Sequence, residues 1–202
     1  MNLNRPTLIV IAGPNGSGKT SITTQILKHE WIAGCVYINP DAIAQEELGN
    51  WNDPIMVLKA AKIAEERRLN CIKRKDSLIF ETVFSTTEKI DFLQLAKANG
   101  YFIRLFFVGT DHPAINAKRI THRVLEGGHD VPITKIISRY TKSISNCCVV
   151  SILVDRLYIY DNSEDYVEAK LLFRASSGIL EKKYYVVNSW AMPILQSLNG
   201  LI

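Results

Sequence analysis

The stretch Gly13-Pro14-Asn15-Gly16-Ser17-Gly18-Lys19-Thr20 decides how this chain folds and what it binds. It fits the phosphate-binding loop pattern G-x-x-x-x-G-K-[ST]. An apolar run from Thr7 to Ala12 precedes it, and a helix-compatible segment from Ser21 to His29 follows it. This strand–loop–helix order directs backbone N–H groups and a helix N-terminus at one anion. The sequence therefore predicts a binding site for a nucleoside triphosphate.

The positions within this loop have separate expected roles. Its glycines permit positive φ angles and a close approach of the backbone to phosphate oxygens. We expect the Lys19 side chain to reach the β- and γ-phosphates, and the Thr20 hydroxyl to bind Mg²⁺. The residues predicted to bind the nucleotide are Gly13, Pro14, Asn15, Gly16, Ser17, Gly18, Lys19 and Thr20.

Length and composition limit the classes of protein to which this chain could belong. Its 202 residues, 47% of them hydrophobic, suit a single α/β domain. A net charge of +4 is too small to indicate a polyanionic partner, so we expect no nucleic acid. We find no apolar run of about 18 residues and no signal-peptide pattern, so we expect no membrane association. The four cysteines have no C-x-x-C spacing, which favours reduced thiols in the cytoplasm.

Apolar runs alternate with amphipathic segments along the chain, which predicts βαβ units and a parallel sheet. After the first strand we expect four more, at Cys35–Ile38, Ser77–Phe80, Tyr101–Val108 and Leu153–Tyr160. The predicted fold is a three-layer P-loop NTPase with a five-stranded parallel sheet in one domain, 1–202. A helical lid is expected at about 113–147 and a small C-terminal appendage at about 164–202. In the appendage we expect a hairpin about Ser177-Gly178, with strands Leu171–Phe173 and Tyr184–Val187, and a final short helix.

Polar residues follow several predicted strands, at the edge of a parallel sheet where ligands bind. Asp41 follows the second strand and could accept the proton of an attacking hydroxyl, or could cap the next helix. Glu81 follows the third strand and could hold Mg²⁺ through water, bind a substrate hydroxyl, or be an ordinary turn acid. The next residue, Thr82, is a predicted substrate contact whose hydroxyl could instead cap a helix. Thr110 follows the fourth strand, and both a substrate contact and turn chemistry would explain it.

A basic segment from Lys118 to Lys142 is the second informative region. Arg119 and Arg123 lie four residues apart and therefore share a helix face. With Arg139, they could form a lid whose guanidinium groups neutralise a transferred phosphoryl group. An ordinary solvated basic face is the competing interpretation. Asn162, after the fifth strand, could approach the nucleotide or simply form a turn.

With these pieces in place, the chain resembles the zeta toxin family of P-loop kinases over about residues 7–163. The resemblance rests on the loop at 13–20, on Asn39-Pro40-Asp41, and on Phe-Glu-Thr-Val-Phe-Ser-Thr at 80–86. The run from Arg123 to Pro132, which includes Gly-Gly-His at 127–129, and the pair Arg139-Tyr140 are its most specific parts. Tyr160-Asp161-Asn162-Ser163 is similar as well.

The resemblance implies a kinase that uses ATP and Mg²⁺ to phosphorylate the sugar 3′-hydroxyl of UDP-N-acetylglucosamine. It implies Asp41 as the base, Lys19 as the loop lysine, Glu81 as a sugar contact, and Arg123 and Arg139 at the triphosphate. An antitoxin protein is an implied partner.

Two other interpretations remain open at this point. A nucleotide-dependent switch protein would bind or hydrolyse the triphosphate without phosphorylating a small molecule. An RNA-end or nucleoside kinase would use a different acceptor, although the modest charge gives this reading little support. A new phosphorylated metabolite would distinguish a small-molecule kinase from a switch.

Overall fold

The strand that leads into the glycine-rich loop is an interior strand of the sheet. In β1 (Thr7–Ala12) every residue from Leu8 to Ala12 is fully buried. Leu8 and Val10 pack into one hydrophobic cluster, whereas Ile9 and Ile11 pack into another. Successive side chains of a strand point to opposite faces, so these two clusters are the two sides of the sheet. A strand buried on both faces requires a layer of helices on each side.

The computed structural model describes residues 5–49, 53–126 and 131–199. The remaining strands of this part of the chain are β2 (Val36–Ile38), β3 (Leu78–Thr82), β4 (Phe102–Gly109), β5 (Arg156–Asp161), β6 (Lys170–Ser176) and β7 (Ile179–Lys183). They form one sheet in the order β2-β3-β1-β4-β5-β6-β7. The first five in this order are parallel, as predicted, which confirms the fold class.

The helices of the described chain are α1 (Lys19–Ile26), α2 (Pro40–Ala42), α3 (Pro54–Arg74), α4 (Thr87–Ala98), α5 (Pro113–Leu125), α6 (Ile133–Val150) and α7 (Met192–Gln196). A 3₁₀ turn spans Glu30–Ile32, and a π-helical turn, Ile43–Glu47, continues α2. The α1 helix contributes Ile22 and Ile26 to one face of the sheet. Side chains of α3, α4, α6 and α7 cover the other face. None of the described helices is both long and apolar enough to cross a membrane.

The C-terminal region differs from the expected appendage because its hairpin extends the central sheet. β6 pairs antiparallel with β5, and β7 pairs antiparallel with β6. The turn falls at Ser177-Gly178 as predicted, but the second strand is β7 and not Tyr184–Val187. The reason is visible in the burial pattern: β7 is an edge strand whose residues are mostly exposed, so it has no apolar alternation to detect.

The predicted lid also differs from the structure, because only part of it is separate from the main core. Cys147 and Val150, near the end of α6, are fully buried in the large cluster of the sheet. The beginning of α6 instead packs on α5 through a small separate cluster formed by Ile120, Val131 and Ile136. A mobile unit could therefore include α5 and the first turns of α6, but not the whole range 113–147.

Candidate functional site

The glycine-rich loop adopts the conformation that its sequence predicts. Gly16 and Gly18 have φ angles of 74° and 87°, in the left-handed region that favours glycine. Gly18 is the N-cap of α1, so the N-terminus of that helix faces the loop. The Lys19 ammonium donates to the carbonyl oxygens of Gly13 and Pro14, at 3.0 and 2.9 Å. Lys19 thus lies across the loop, where it would meet phosphate oxygens.

Three charged groups from separate elements lie near enough to act electrostatically on the Lys19 ammonium. Burial lowers the pKa of Lys19 to about 8, and the negative charges of Glu81 and Asp41 oppose this shift. The positive charge of Arg123, on α5, adds to the lowering of this pKa. The fold therefore brings the predicted base, the predicted acidic substrate contact and one lid arginine to the same lysine.

A chain of hydrogen bonds connects the two acidic residues. The Tyr37 hydroxyl donates to Glu81 Oε1 at 3.2 Å and accepts from Asn39 Nδ2 at 3.1 Å. Asn39 Oδ1 accepts from the backbone N–H of Asp41 at 2.9 Å, so Asn39 is the N-cap of α2. Burial and the charge of Glu81 raise the pKa of Tyr37 to about 12, which keeps its hydroxyl protonated.

This arrangement excludes the capping interpretation of Asp41, and its role as the base stays a prediction. The capping role belongs to Asn39, and Asp41 lies in the first turn of α2 with an exposed side chain. Glu81 is the residue before the last one of β3, it pairs with Ile11 of β1, and it is half-buried. Neither carboxylate is in the position of a simple helix cap.

The loop after β3 is attached to both the phosphate-binding loop and α6. The Thr82 carbonyl accepts from the Gly13 N–H at 3.2 Å, and its Oγ1 accepts from the Phe84 N–H at 3.1 Å. Phe84 is fully buried with a φ of 61°, an unusual angle for a bulky residue. Asn146 of α6 donates to the Phe84 carbonyl at 2.9 Å and holds this conformation. The Thr82 hydroxyl therefore has a structural partner in addition to its predicted substrate role.

Thr110 requires a correction, because the structure does not support its predicted contact with substrate. Its side chain is fully buried, and its hydroxyl donates to Asn116 Oδ1 in a short hydrogen bond. The Thr110 carbonyl accepts from the Tyr140 hydroxyl at 2.6 Å. Its position just after β4 places it beneath the site, where it orients other residues.

Of the remaining predicted residues, Arg139 and Asn162 contact the phosphate-binding loop, whereas Arg119 contacts the segment after β5. Arg139 Nη1 donates to Asn15 Oδ1 at 3.3 Å, so this arginine lies beside the phosphate-binding loop. Arg119 instead donates to Asp165 at 2.8 Å and to the Asn162 carbonyl at 2.8 Å. Its guanidinium therefore holds the segment after β5. Asn162 Nδ2 in turn donates to the Ser17 carbonyl at 2.8 Å.

A cleft of about 320 Å³ opens beside Arg139, between α6 and the loop after β3. Three cationic and four hydroxyl side chains line it: Lys135, Arg139, Lys142, Ser85, Thr86, Thr134 and Ser138. No carboxylate is among these lining residues. The cleft therefore suits a ligand that carries negative charge.

Residues that could hold Mg²⁺ are present around the loop. Thr20 occupies the first turn of α1 and is exposed, and Glu81 and Asp41 lie near the adjacent Lys19. Among the described residues there is no group of three or more acidic, cysteine or histidine side chains placed to hold a metal ion together. This is compatible with Mg²⁺, which commonly uses one or two protein ligands together with phosphate oxygens and water.

Two residues of the site, Tyr37 and Asn116, were not predicted from the sequence. The signal available for Tyr37 was its position on the second strand, two residues before Asn39 of the Asn-Pro-Asp stretch. Asn116 has no sequence signal, because only the packing of α5 on the loop reveals its contact with Asn15.

Comparison with known proteins identifies relatives of this chain. The family model described as Zeta toxin matches residues 1–170. An uncharacterized protein of Haemophilus influenzae (strain ATCC 51907 / DSM 11121 / KW20 / Rd) is 28% identical over 132 residues, which cover 65% of this chain and 91% of that protein.

Two solved structures have similar folds. A chain of the PezAT chromosomal toxin–antitoxin system of Streptococcus pneumoniae aligns with a TM-score of 0.62 and 19% identity, covering 98% of this chain and 80% of that one. A chain of the AvrRxo1-ORF1:-ORF2 complex with ATP aligns with a TM-score of 0.68 and 20% identity, covering 89% of this chain and 61% of that one. The present chain thus spans about three fifths of the AvrRxo1 chain. At these identities the similarity shows a shared fold.

The family match covers most of the chain, and it includes the phosphate-binding loop and the residues gathered around Lys19. Both structural relatives share the α/β architecture that carries this loop. The chain is therefore a P-loop kinase that belongs to the zeta toxin family.

Proposed function

We propose that this protein transfers the γ-phosphoryl group of ATP to a hydroxyl group of a small molecule. The observation that carries the proposal is that Lys19 crosses the phosphate-binding loop, where the charges of Asp41, Glu81 and Arg123, from three separate elements, all act on its ammonium. A protein that only binds a nucleotide has no need of a base at this position. A kinase does, because the attacking hydroxyl must be held and deprotonated.

In the proposed reaction, the acceptor oxygen forms a bond to the γ-phosphorus while the bond from that phosphorus to the β–γ bridging oxygen breaks. Asp41 accepts the hydroxyl proton, and ADP leaves with the electron pair of the broken bond. Lys19, Arg123 and Arg139 neutralise charge on the transferred group. Mg²⁺, when bound near Thr20, supplies further charge neutralisation at the β- and γ-oxygens.

The first acceptor to test is UDP-N-acetylglucosamine, at the 3′-hydroxyl of its sugar. Glu81 and the Tyr37 hydroxyl offer polar contacts for a sugar, and they are joined to the Asp41 turn through Asn39. The cationic cleft beside Arg139 could accept the diphosphate of such a molecule. Family membership supports the same choice, and an antitoxin partner is proposed on the likeness to the PezAT toxin–antitoxin system.

The direct test is to incubate the purified chain with ATP, Mg²⁺ and UDP-N-acetylglucosamine and to measure product masses. A product heavier by one phosphoryl group is expected, and sugar fragmentation would locate it on the 3′-oxygen. If this acceptor stays unmodified, a metabolite extract is the next substrate. ATP consumption without any new phosphorylated species would contradict the kinase and favour the switch protein.

The variant Asp41→Asn tests the proposed base. Loss of a general base slows a reaction by about 10²–10⁴-fold, so kcat should fall within this range. The dissociation constant for ATP should change by less than about twofold, because an asparagine can still pack at the same exposed position. Asp76→Asn, before β3 at the opposite end of the sheet, is the matched control and should retain full activity. Full activity of Asp41→Asn would exclude this carboxylate as the base.

A further inference from the structure

Two asparagine side chains hold the outside of the phosphate-binding loop. Asn116 Nδ2, from α5, donates to the Asn15 carbonyl at 2.6 Å. Asn162 Nδ2, from the segment after β5, donates to the Ser17 carbonyl at 2.8 Å. The two amides therefore bind alternate carbonyl groups of the same loop, and they do so from different elements.

The direction of a carbonyl fixes the direction of the following N–H group. In a planar trans peptide these two groups point in opposite directions. Because the Asn15 carbonyl points outward to Asn116, the Gly16 N–H points the other way, into the loop. The same holds for the Ser17 carbonyl and the Gly18 N–H. Backbone N–H groups that converge inside such a loop form the nest that binds phosphate.

Both glycines that follow these carbonyls are in close contact with the asparagines. A Cβ atom added at Gly16 would lie 2.7 Å from the Asn116 backbone oxygen. A Cβ atom added at Gly18 would lie 2.1 Å from Asn162 Nδ2. These glycines are therefore required by the approach of the asparagines as well as by their positive φ angles.

Each asparagine is itself held in place. Asn116 is fully buried, and its Oδ1 accepts from the Thr110 hydroxyl, so its amide nitrogen must face the loop. The Asn162 N–H donates to the Gly109 carbonyl at 2.9 Å, and its carbonyl accepts from Arg119 at 2.8 Å. Asn116 and Arg119 lie three residues apart on α5, so this one helix supports both contacts.

We propose that Asn116 and Asn162 are positioning residues that preorganise the phosphate-binding loop of this protein for a triphosphate. Without them, the peptides after Asn15 and Ser17 are free to rotate, and ATP binding must restrict them again. The proposal rests on nucleotide binding by the loop, but it does not depend on which hydroxyl accepts the phosphoryl group.

The test is the dissociation constant of MgATP for Asn116→Ala and Asn162→Ala, measured by calorimetry without an acceptor. Each variant should bind about tenfold more weakly, as expected for the loss of about 1.4 kcal/mol. Asn99→Ala is the matched control, because Asn99 also donates its amide to a backbone carbonyl, that of Leu95, at 2.9 Å. It lies at the end of α4, so MgATP should bind this variant as it binds the parent.

A kinetic and a thermal measurement distinguish preorganisation of the loop from a general contribution of the two asparagines to fold stability. With any active acceptor, the variants should raise the KM for ATP about tenfold while the KM for the acceptor changes less than about twofold. The melting temperature of Asn162→Ala, the less buried position, should stay near that of Asn99→Ala. Unchanged MgATP affinity in Asn162→Ala, or equal losses of ATP and acceptor affinity, would overturn the proposal. Because MgATP binding is measured alone, an absent kinase reaction does not obscure the result.

Discussion

At the scale of single residues, Lys19 shows how the site depends on its surroundings. Within the described residues its ammonium donates to two backbone carbonyl groups, and burial lowers its pKa to about 8. A bound triphosphate would favour the charged form, so binding should raise this pKa. Below pH 8 the lysine is charged with or without a bound triphosphate. At somewhat higher pH it is charged only when the triphosphate is bound.

This difference predicts a pH dependence of ATP binding. Above pH 8 binding must take up a proton, so affinity should fall by up to about tenfold per pH unit. Below pH 8 the contribution of Lys19 should be constant. Calorimetry of ATP binding between pH 7 and 9.5, in buffers of different ionisation enthalpy, measures both the affinity and the proton uptake.

Lys19→Met supplies the control for this prediction. The variant should bind ATP more weakly at every pH and should lose the proton uptake between pH 8 and 9.5. Tyr37 should not interfere, because its pKa is about 12. Proton uptake that persists in Lys19→Met would assign the titration to another group.

At the scale of elements, α5 and α6 form a hairpin with two different attachments. Near its beginning, α6 packs on α5 through Ile120, Val131 and Ile136, a cluster separate from the main core. Further along, Ile144 packs against the main core and Asn146 holds the loop after β3. The hairpin should therefore open locally while the rest of α6 remains fixed.

Ile136→Ala should expose this difference. Removing the buried side chain leaves a cavity in the small cluster, and such changes cost about 2–5 kcal/mol. Hydrogen exchange should become faster in α5 and the first turns of α6, while the amides of β4 keep their protection. Ile144→Ala, on the same helix but against the main core, should instead speed exchange in the sheet. Equal acceleration of β4 in Ile136→Ala would show that the hairpin opens only with the whole fold.

The accuracy of sequence reasoning also differs between elements. The parallel strands were predicted because each is an apolar run with helical segments around it, and the loop at 13–20 because its pattern is long and specific. β7 was placed wrongly, since an exposed edge strand carries no apolar period. Both interpretations of Thr110 stayed open in the sequence, because its position after a strand is visible there, whereas the burial of its side chain is not. The contact of Asn116 with Asn15 joins residues far apart in the chain, so no local sequence pattern predicts it.

At the scale of the whole molecule, the C-terminal region packs against the ends of β4 and β5, close to the phosphate-binding loop. Trp190 is buried, and its Nε1 donates to Asp161 Oδ1 at 2.9 Å. Asp161 ends β5 directly before Asn162, and its carboxylate also accepts from the Ser163 hydroxyl at 2.7 Å. A Cβ atom added at Gly109 would lie 2.3 Å from the Trp190 ring, so the indole fits closely against β4. Residues beyond the sequence motifs thus support the segment that holds the phosphate-binding loop.

Trp190→Phe tests this long-range support. The phenyl ring keeps most of the packing but cannot donate to Asp161, so a buried carboxylate loses one of its partners at a cost of about 1–3 kcal/mol. The denaturation midpoint should fall accordingly. MgATP affinity should also fall, by less than in Asn162→Ala, because the turn that carries Asn162 loses one restraint. Trp31→Phe is the control, since Trp31 is 40% exposed and a phenyl ring can still lie under Arg104. If Trp190→Phe lost stability without any change in MgATP affinity, the C-terminal region would stabilise the fold but would not organise the site.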